Sequence, residues 1–277
     1  MEVDRMSRVI TKISAQKRNQ ERYNIFLNEE YAFSVDEGIL IQYGLTKGKV
    51  LDSLTVEEIA FDDEIQRAFN RSLSYLSYQM RSEHEVRQKL KGLEFGDAVI
   101  QEALQKLKKL GFLNDESYSR ALVETKKKTA KKGPRAIKMD LKKRGIEENL
   151  QQRVLDEFSE DEQAKIAKQL AEKVVRSEHR KTPVQIKQKI QDLLLRKGYS
   201  YSICERVIEQ VDLSKEDEEW QDMIELQGEK AWKKYASKYT GYELHMRVKQ
   251  ALYQKGFPAE VIDDFIEQKE QDNGEEI

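Results

Sequence analysis

Apolar and β-branched positions follow two different periods along the chain. Up to about residue 35 they recur at every second position: Val9, Thr11 and Ile13, then Tyr23, Ile25 and Leu27, then Tyr31, Phe33 and Val35. A period of two predicts strands with one buried face. Asn28-Glu29-Glu30 separates the second and third runs by hairpin distance, and Gln16 to Glu21 is a polar connection between the first two. The expectation is a small antiparallel meander of about three strands. Such a sheet cannot stand alone, so its apolar face is expected against helical segments at Asp36 to Tyr43 and from Thr55 onward.

Beyond about residue 55 the period changes to 3.6 and stays there. Four stretches align without gaps: LKGLEFGDAVIQEAL, LKKRGIEENLQQRVL, LLRKGYSYSICERVI and LYQKGFPAEVIDDFI. Their anchor residues are Phe95, Ile146, Tyr199 and Phe257. Val99, Leu150, Ile203 and Val261 follow four positions on, and Leu104, Leu155, Ile208 and Ile266 nine positions on. That spacing is one helix face. Leu90, Leu141, Leu194 and Leu252 lie five positions upstream and close a first helix. That helix is expected to end at Gly145, Gly198 and Gly256, residues able to take the left-handed conformation at a helix C-terminus. The first unit has Glu94 in place of the glycine, so its helix is expected to end differently, at Gly92 or Gly96.

Helix starts are marked by Ser82…Glu85, Thr182…Gln185 and Thr240…Glu243 as capping boxes, and by Gly133 leading into Pro134. The last two starts lie about one turn farther from their glycine, which predicts a first helix one turn longer there. Third helices are expected near Asp115, Ser159 and Ser214, the last two capped by Ser…Glu162 and Ser…Asp217.

The reading is a mainly α protein of tandem three-helix repeats forming an elongated curved array, with a small antiparallel β domain at its N-terminal end. Its parts are a β-rich domain with a short helix (1–54), a connecting helix (55–80) and repeats at 81–131, 132–180 and 181–238. A partial fourth repeat with an acidic tail, IEQKEQDNGEEI, occupies 239–277. The alternative is a compact helical domain in which duplicated text folds back on itself.

Composition narrows the function classes. The 277 residues are 38% hydrophobic and 36% charged, and no apolar run reaches the roughly 18 residues of a membrane span. The opening MEVDRMSRVITK has no apolar run resembling a secretory signal, so a cytoplasmic location is expected. Cys204, the one cysteine, sits on an apolar stripe and is expected in the core. His84, His179 and His245 have no partner at metal-ligand spacing and are expected at the surface. Trp220 and Trp232, with Met223 and Tyr235, are expected to pack, as are Tyr75 and Tyr78. GLTKGKV, residues 44–50, lacks the spacing of a phosphate loop. No Ser/His/Asp order, H-E-x-x-H or C-x-x-C suggests catalysis, and no metal site or cofactor is expected.

Charge is uneven: the net formal charge is −2, yet Lys126 to Gly145 carries a single acid, Asp140. On a helix starting at Pro134, Arg135, Lys138 and Lys142 share an arc of roughly sixty degrees, apart from Ile137 and Leu141. Lys126, Lys127, Lys128, Lys131 and Lys132 precede that helix, and Lys143 and Arg144 end it. Lysine is a good helix former and suits a helix C-terminus without binding anything. Here the scarcity of local acids leaves repulsion unbalanced, which favours an anionic partner. No aromatic residue is interleaved with these cations, so the partner is expected to be phosphate or an acidic protein surface.

The blocks YLSYQMRSEHEVRQKLKGLEF, KKLGFLNDESYSRALVETK and GPRAIKMDLKKRGI, in this order and spacing, resemble the bacterial RecX regulatory proteins. The likeness runs from about residue 70 through the later units, and the added strands and fourth unit look like the longer version found in some bacteria. The resemblance implies a non-enzymatic helical repeat protein that binds the RecA filament on single-stranded DNA and limits its recombinase, ATPase and co-protease activities, in DNA repair and the SOS response. It implies no cofactor, and a monomer is the expected state. Direct binding to DNA without recombinase, and a helical adaptor for some other protein, are the competing readings.

Overall fold

The structure, a computed structural model, describes residues 8–17 and 19–274. Residues 1–7, Arg18 in the first connection and the last three residues of the acidic tail lie outside the described residues. Two compact units divide the chain: Met1–Ala121 with Leu141–Gln151, and Leu122–Asp140 with Gln152–Ile277.

The first unit opens with a sheet of order β3-β2-β1-β4, from β1 (Arg8–Ala15), β2 (Arg22–Leu27), β3 (Glu30–Asp36) and β4 (Val50–Leu51). Neighbouring strands are antiparallel. Asn28 and Glu29 both have positive φ, 49° and 75°, as a two-residue hairpin turn of the primed type requires. The meander is present, but the simple alternation is not. A register shift between Ile10 and Lys12 breaks the period, so Ile10 is the fully buried residue of β1 while Val9 is 38% exposed. A second shift opposite Phe26 leaves Tyr31 exposed. An extra residue in one strand moves everything beyond it to the other face.

The fourth strand, two residues long, is too short to carry a period. It pairs with β1 at Arg8 and Val9, so residues 44–49 are the approach to an edge strand that begins at Val50. The inner face meets α1 (Glu37–Gln42) and α2 (Ser53–Leu76) through Ile10, Ile25, Leu27, Val35, Ile39 and Ile59. Asp63 of α2, 6% exposed, receives Arg22 Nη2 at 2.7 Å and the Asp36 backbone N–H at 2.7 Å, which ties helix to sheet.

The helices that follow are α3 (Glu83–Lys91), α4 (Asp97–Lys109), α5 (Asp115–Ala130), α6 (Pro134–Lys143), α7 (Glu148–Asp156), α8 (Glu160–Ser177), α9 (Pro183–Lys197), α10 (Tyr201–Glu209), α11 (Asp217–Ala236), α12 (Gly241–Gln254) and α13 (Ala259–Gly274). The first helices of the last two repeats, α9 and α12, have 15 and 14 residues against 9 and 10 for α3 and α6. This is the extra turn that the spacing predicts.

Hydrophobic cores group the helices one step earlier than the glycine-anchored text. One core joins α2, α3 and α4; another α8, α9 and α10; another α11, α12 and α13. A long helix supplies one wall, and the two short helices after it supply the rest. The stretch from Asp217 therefore forms a core of its own with the two helices after it. Leu90, Leu141, Leu194 and Leu252 are each 0% exposed, Cys204 is core, and Trp220, Trp232 and Tyr235 pack around Met223. Tyr78 does not pack: it is 86% exposed. Thr240 makes no capping bond, and Ser214 bonds Asp212 instead of starting a helix, leaving Glu216 and Glu219 to form the box ahead of α11. The first of these failures follows from the backbone, which turns through Gly241 at φ +54°.

The first helix of each repeat ends in the same way. Phe95, Ile146, Tyr199 and Phe257 donate their N–H to the carbonyls of Leu90, Leu141, Leu194 and Leu252. The residue before each is left-handed, Glu94 at φ +64° like Gly145, Gly198 and Gly256 at +70°, +91° and +87°. In the first unit Gly92 is the helix C-cap, one of the two expected endings, and Glu94 takes the left-handed position that glycine fills in the other units.

Glycine is required at the other three positions because another helix start lies against them. A Cβ would overlap His84 at Gly145, the Ala136 backbone nitrogen at Gly198 and Val184 at Gly256. The same helix starts bond the carbonyl just before each glycine. Ser82 Oγ donates to Arg144 O at 2.6 Å, Gly133 N to Lys197 O at 2.8 Å, and Thr182 Oγ1 to Lys255 O. Ser82 and Thr182, both 0% exposed, also accept the N–H of Glu85 and Gln185 in intact capping boxes. A hydroxyl can accept and donate together; a carboxylate cap cannot.

Gly48 and Gly198 share nearly the same φ, +92° and +91°, but a Cβ at Gly48 would meet nothing within 4 Å. Gly48→Ala should cost only the left-handed penalty, about 1–2 kcal/mol. Gly198→Ala adds a backbone collision and should cost about 2–5 kcal/mol in urea denaturation. Equal costs would remove close approach as the reason for the glycine.

Candidate functional site

In the second unit the basic stretch runs off the end of α5, through a left-handed Lys131 at φ +48°, into Gly133 and the first turns of α6. The end of α9 holds this connection. Lys197 Nζ donates to Ala130 O at 2.8 Å, and the Tyr199 hydroxyl donates to Lys131 O at 3.1 Å. Gly133 N and Arg135 N donate to Lys197 O and Gly198 O at 2.8 and 3.1 Å. The first N–H groups of a helix have no partner inside it, and Pro134 has none to satisfy. Another helix's C-terminal carbonyls therefore cap α6. Burial raises the pKa of Tyr199, whose ring is 0% exposed, so its hydroxyl stays a donor.

The cations have unequal surroundings. Lys127 is 6% exposed, its ammonium 2.6 Å from Glu124 and 2.7 Å from Glu162, and 4.6 Å from the centre of the Phe158 ring. Burial alone would lower its pKa, but the bonds to Glu124 and Glu162 prevail and raise it. Lys127 thus fastens α5 to α8 and does not face a partner, which corrects its place in the expected set. Lys132 pairs with Asp140 at 2.7 Å, and Lys131 donates to Gln169 at 2.6 Å. Lys128 approaches Glu124 only to 3.6 Å and keeps a 77% exposed side chain. Arg135 is exposed, and Lys126 and Lys138 are half-buried.

In the first unit, Lys142 and Lys143 are exposed at the end of α6, whereas Arg144 pairs with Glu85. Glu85 also closes the Ser82 capping box and bonds Tyr118. Burial pushes the Glu85 carboxyl up, yet the Ser82 N–H, Arg144 and Tyr118 together hold it below the ordinary glutamate value of 4.5. Burial first, and the Glu85 charge second, push Tyr118 up to about 12. This cluster is structural: every member holds α3 against α5 or the end of α6.

His84 and His179 are exposed, and His245 stacks on Trp232 with ring centres 5.7 Å apart. Among the described residues, no group of three or more His, Cys, Asp or Glu is placed to hold a metal ion, and no helix is long and apolar enough to cross a membrane.

Fold and site together define a tandem three-helix repeat protein that carries a small β domain and a basic connection clamped between helices. Family models match nearly all of its parts. The regulatory protein RecX N-terminal domain matches residues 8–52, the first RecX three-helix domain 68–107 and the second 114–155. The third matches twice, at 160–208 and 217–266, so the α11–α13 core matches the same three-helix type as the α8–α10 core. The chain belongs to the RecX family. Regulatory protein RecX of Bacillus licheniformis is 42% identical over 261 residues, 94% of this chain and 98% of the relative. Its namesake in Bacillus subtilis is 39% identical over 262 residues, with the same coverage. A crystal structure of regulatory protein RecX, 38% identical, superposes with a TM-score of 0.64 over 73% of this chain and 99% of that one. The crystal structure of RecX from Lactobacillus salivarius, 35% identical, gives 0.53 over 55% and 99%.

Glu85→Gln keeps the capping box, since glutamine serves there equally, and removes the charge that faces Arg144 and, at 3.6 Å, Arg81. A carboxyl whose pKa is lower folded than unfolded adds stability above the unfolded value and loses it as pH falls through the folded one. Wild type should exceed Glu85→Gln by about 1 kcal/mol at neutral pH. The difference should vanish as the pH drops well below the ordinary 4.5. A pH-independent difference in urea titrations would contradict this role.

Proposed function

We propose that this chain regulates RecA in the cytoplasm by binding its filament on single-stranded DNA and limiting recombination, ATP hydrolysis and co-protease activity. The observation that carries the reading is the family membership of every core along the chain. The exposed cations of the basic connection support it, because a nucleoprotein filament offers both phosphates and acidic protein surface. Occupying the groove that duplex DNA and repressor substrates enter would exclude them. Alternatively, differential affinity for one state of the filament would shift it toward slow hydrolysis or subunit loss. Lys128 and Arg135, held open on a fixed connection, also favour a second reading in which the chain grips DNA directly.

A substoichiometric amount of the protein should lower ATP hydrolysis by RecA on single-stranded DNA. Replacing Lys126, Lys128, Lys131 and Arg135 with Glu should abolish the effect while circular dichroism stays unchanged. Unaltered hydrolysis with wild type would overturn the regulatory reading. If Lys126, Lys128 and Arg135 make three phosphate contacts, neutralising them together should flatten the log–log salt slope for naked single strands by about 2. An unchanged slope removes DNA as the target of this connection.

A further inference from the structure

One face of α2 carries Arg67, Arg71 and Tyr75 and continues past the helix end to Tyr78, at intervals of four, four and three residues. Lys89 of α3 and Phe95 complete a cleft of about 500 Å³ wholly within the first unit. None of the residues that line it is acidic. Arg67 and Arg71 stand at i and i+4 with like charge, an arrangement that weakens a helix unless something offsets it. The positions three and four away from Arg71 are Arg67, Ala68, Ser74 and Tyr75, so the helix supplies Arg71 no acid.

The rings are interleaved with these cations. The Arg67 guanidinium lies 6.0 Å from the centre of Phe95, Arg81 lies 4.4 Å from Tyr75, and Lys89 Nζ lies 5.9 Å from Tyr75. Tyr75 is half-buried, while Tyr78, 86% exposed, offers its ring to solvent at the rim.

We propose that this cleft is a binding site for single-stranded nucleic acid, with a base stacked on Tyr78 and the adjoining phosphates on Arg67, Arg71 and Lys89. An exposed flat ring beside cations suits a strand whose bases are unpaired and whose backbone is charged. A duplex keeps its base faces stacked on one another. An acidic peptide would satisfy the arginines but has no aromatic face to stack on Tyr78. The cleft uses none of the residues of the Lys126–Arg144 stretch, and the proposal does not rest on the RecA reading.

The test is fluorescence anisotropy of the full chain with a labelled oligothymidylate of about 15 nucleotides, without recombinase. Tyr78→Ala should bind about 5- to 150-fold more weakly, the range of one lost base stack. Tyr78→Phe, which keeps the ring, should bind like wild type, and Arg71→Gln should flatten the salt slope by about 0.7. Because Tyr78 is so exposed, the alanine variant should keep its circular dichroism and urea midpoint. Equal affinity of Tyr78→Ala and wild type would overturn the proposal, as would failure of wild type to bind the oligonucleotide. Polyglutamate that displaces the oligonucleotide equally well per charge would overturn nucleic acid as the occupant. Loss of binding in Tyr78→Ala alongside unaltered RecA hydrolysis with wild type would uphold this site while refuting the regulatory reading.

Discussion

At each of three seams a buried helix start donates a hydrogen to the carbonyl that precedes a left-handed glycine. The donors are the Ser82 hydroxyl, the Gly133 amide and the Thr182 hydroxyl, and the acceptors are the carbonyls of Arg144, Lys197 and Lys255. A buried polar group without a partner costs about 1–3 kcal/mol, so these bonds specify which start meets which end. The glycines bring the backbones close enough for the bond to form. Serine and threonine succeed at two seams because a hydroxyl serves its own helix as acceptor and the next repeat as donor. At the third seam the start residue, Gly133, has no side chain, and the backbone N–H groups of Gly133 and Arg135 donate instead.

That third seam is also where chemistry gathers. The bonds from Lys197, Gly198 and Tyr199 fix the backbone on which Lys131 and Arg135 are mounted. A rigid mount lowers the entropy lost when a charged side chain meets a partner. Not every cation there is available. Lys127 is buried with two carboxylates and an aromatic ring, so its charge contributes to cohesion, whereas Lys128 and Arg135 remain in solvent. Proximity in sequence does not decide a charge's role; burial and the partner's position do.

Much of the helical organisation was legible because it rests on local rules. Leucine five positions before an anchor, glycine one before it and a Ser or Thr box at the start each act within one or two turns. What escaped was non-local. The partner of Lys127, Glu162, lies 35 positions further on, and the requirement for glycine at Gly198 comes from Ala136. Glu94 shows the difference: it adopts the same left-handed backbone, so conformation alone does not demand glycine. In the sheet, bulges invert the alternation without any mark in the text, and so Val9 and Tyr31 read as inward. Tyr78 read as packing because hydrophobicity reports what a ring prefers, not whether a neighbour arrives to cover it. The basic stretch was legible as a concentration of charge, but its division into paired and open cations was not.

Amide hydrogen exchange at Gly133 and Arg135 tests the central claim most directly. These groups begin a helix, where amides ordinarily lack an intrahelical acceptor and exchange freely. If the end of α9 caps them, they should be protected to the same degree as the Leu194 amide in the core of that helix. Exchange at the rate of an unprotected first turn would contradict the seam, and with it the account of how the repeats are joined and the basic connection held.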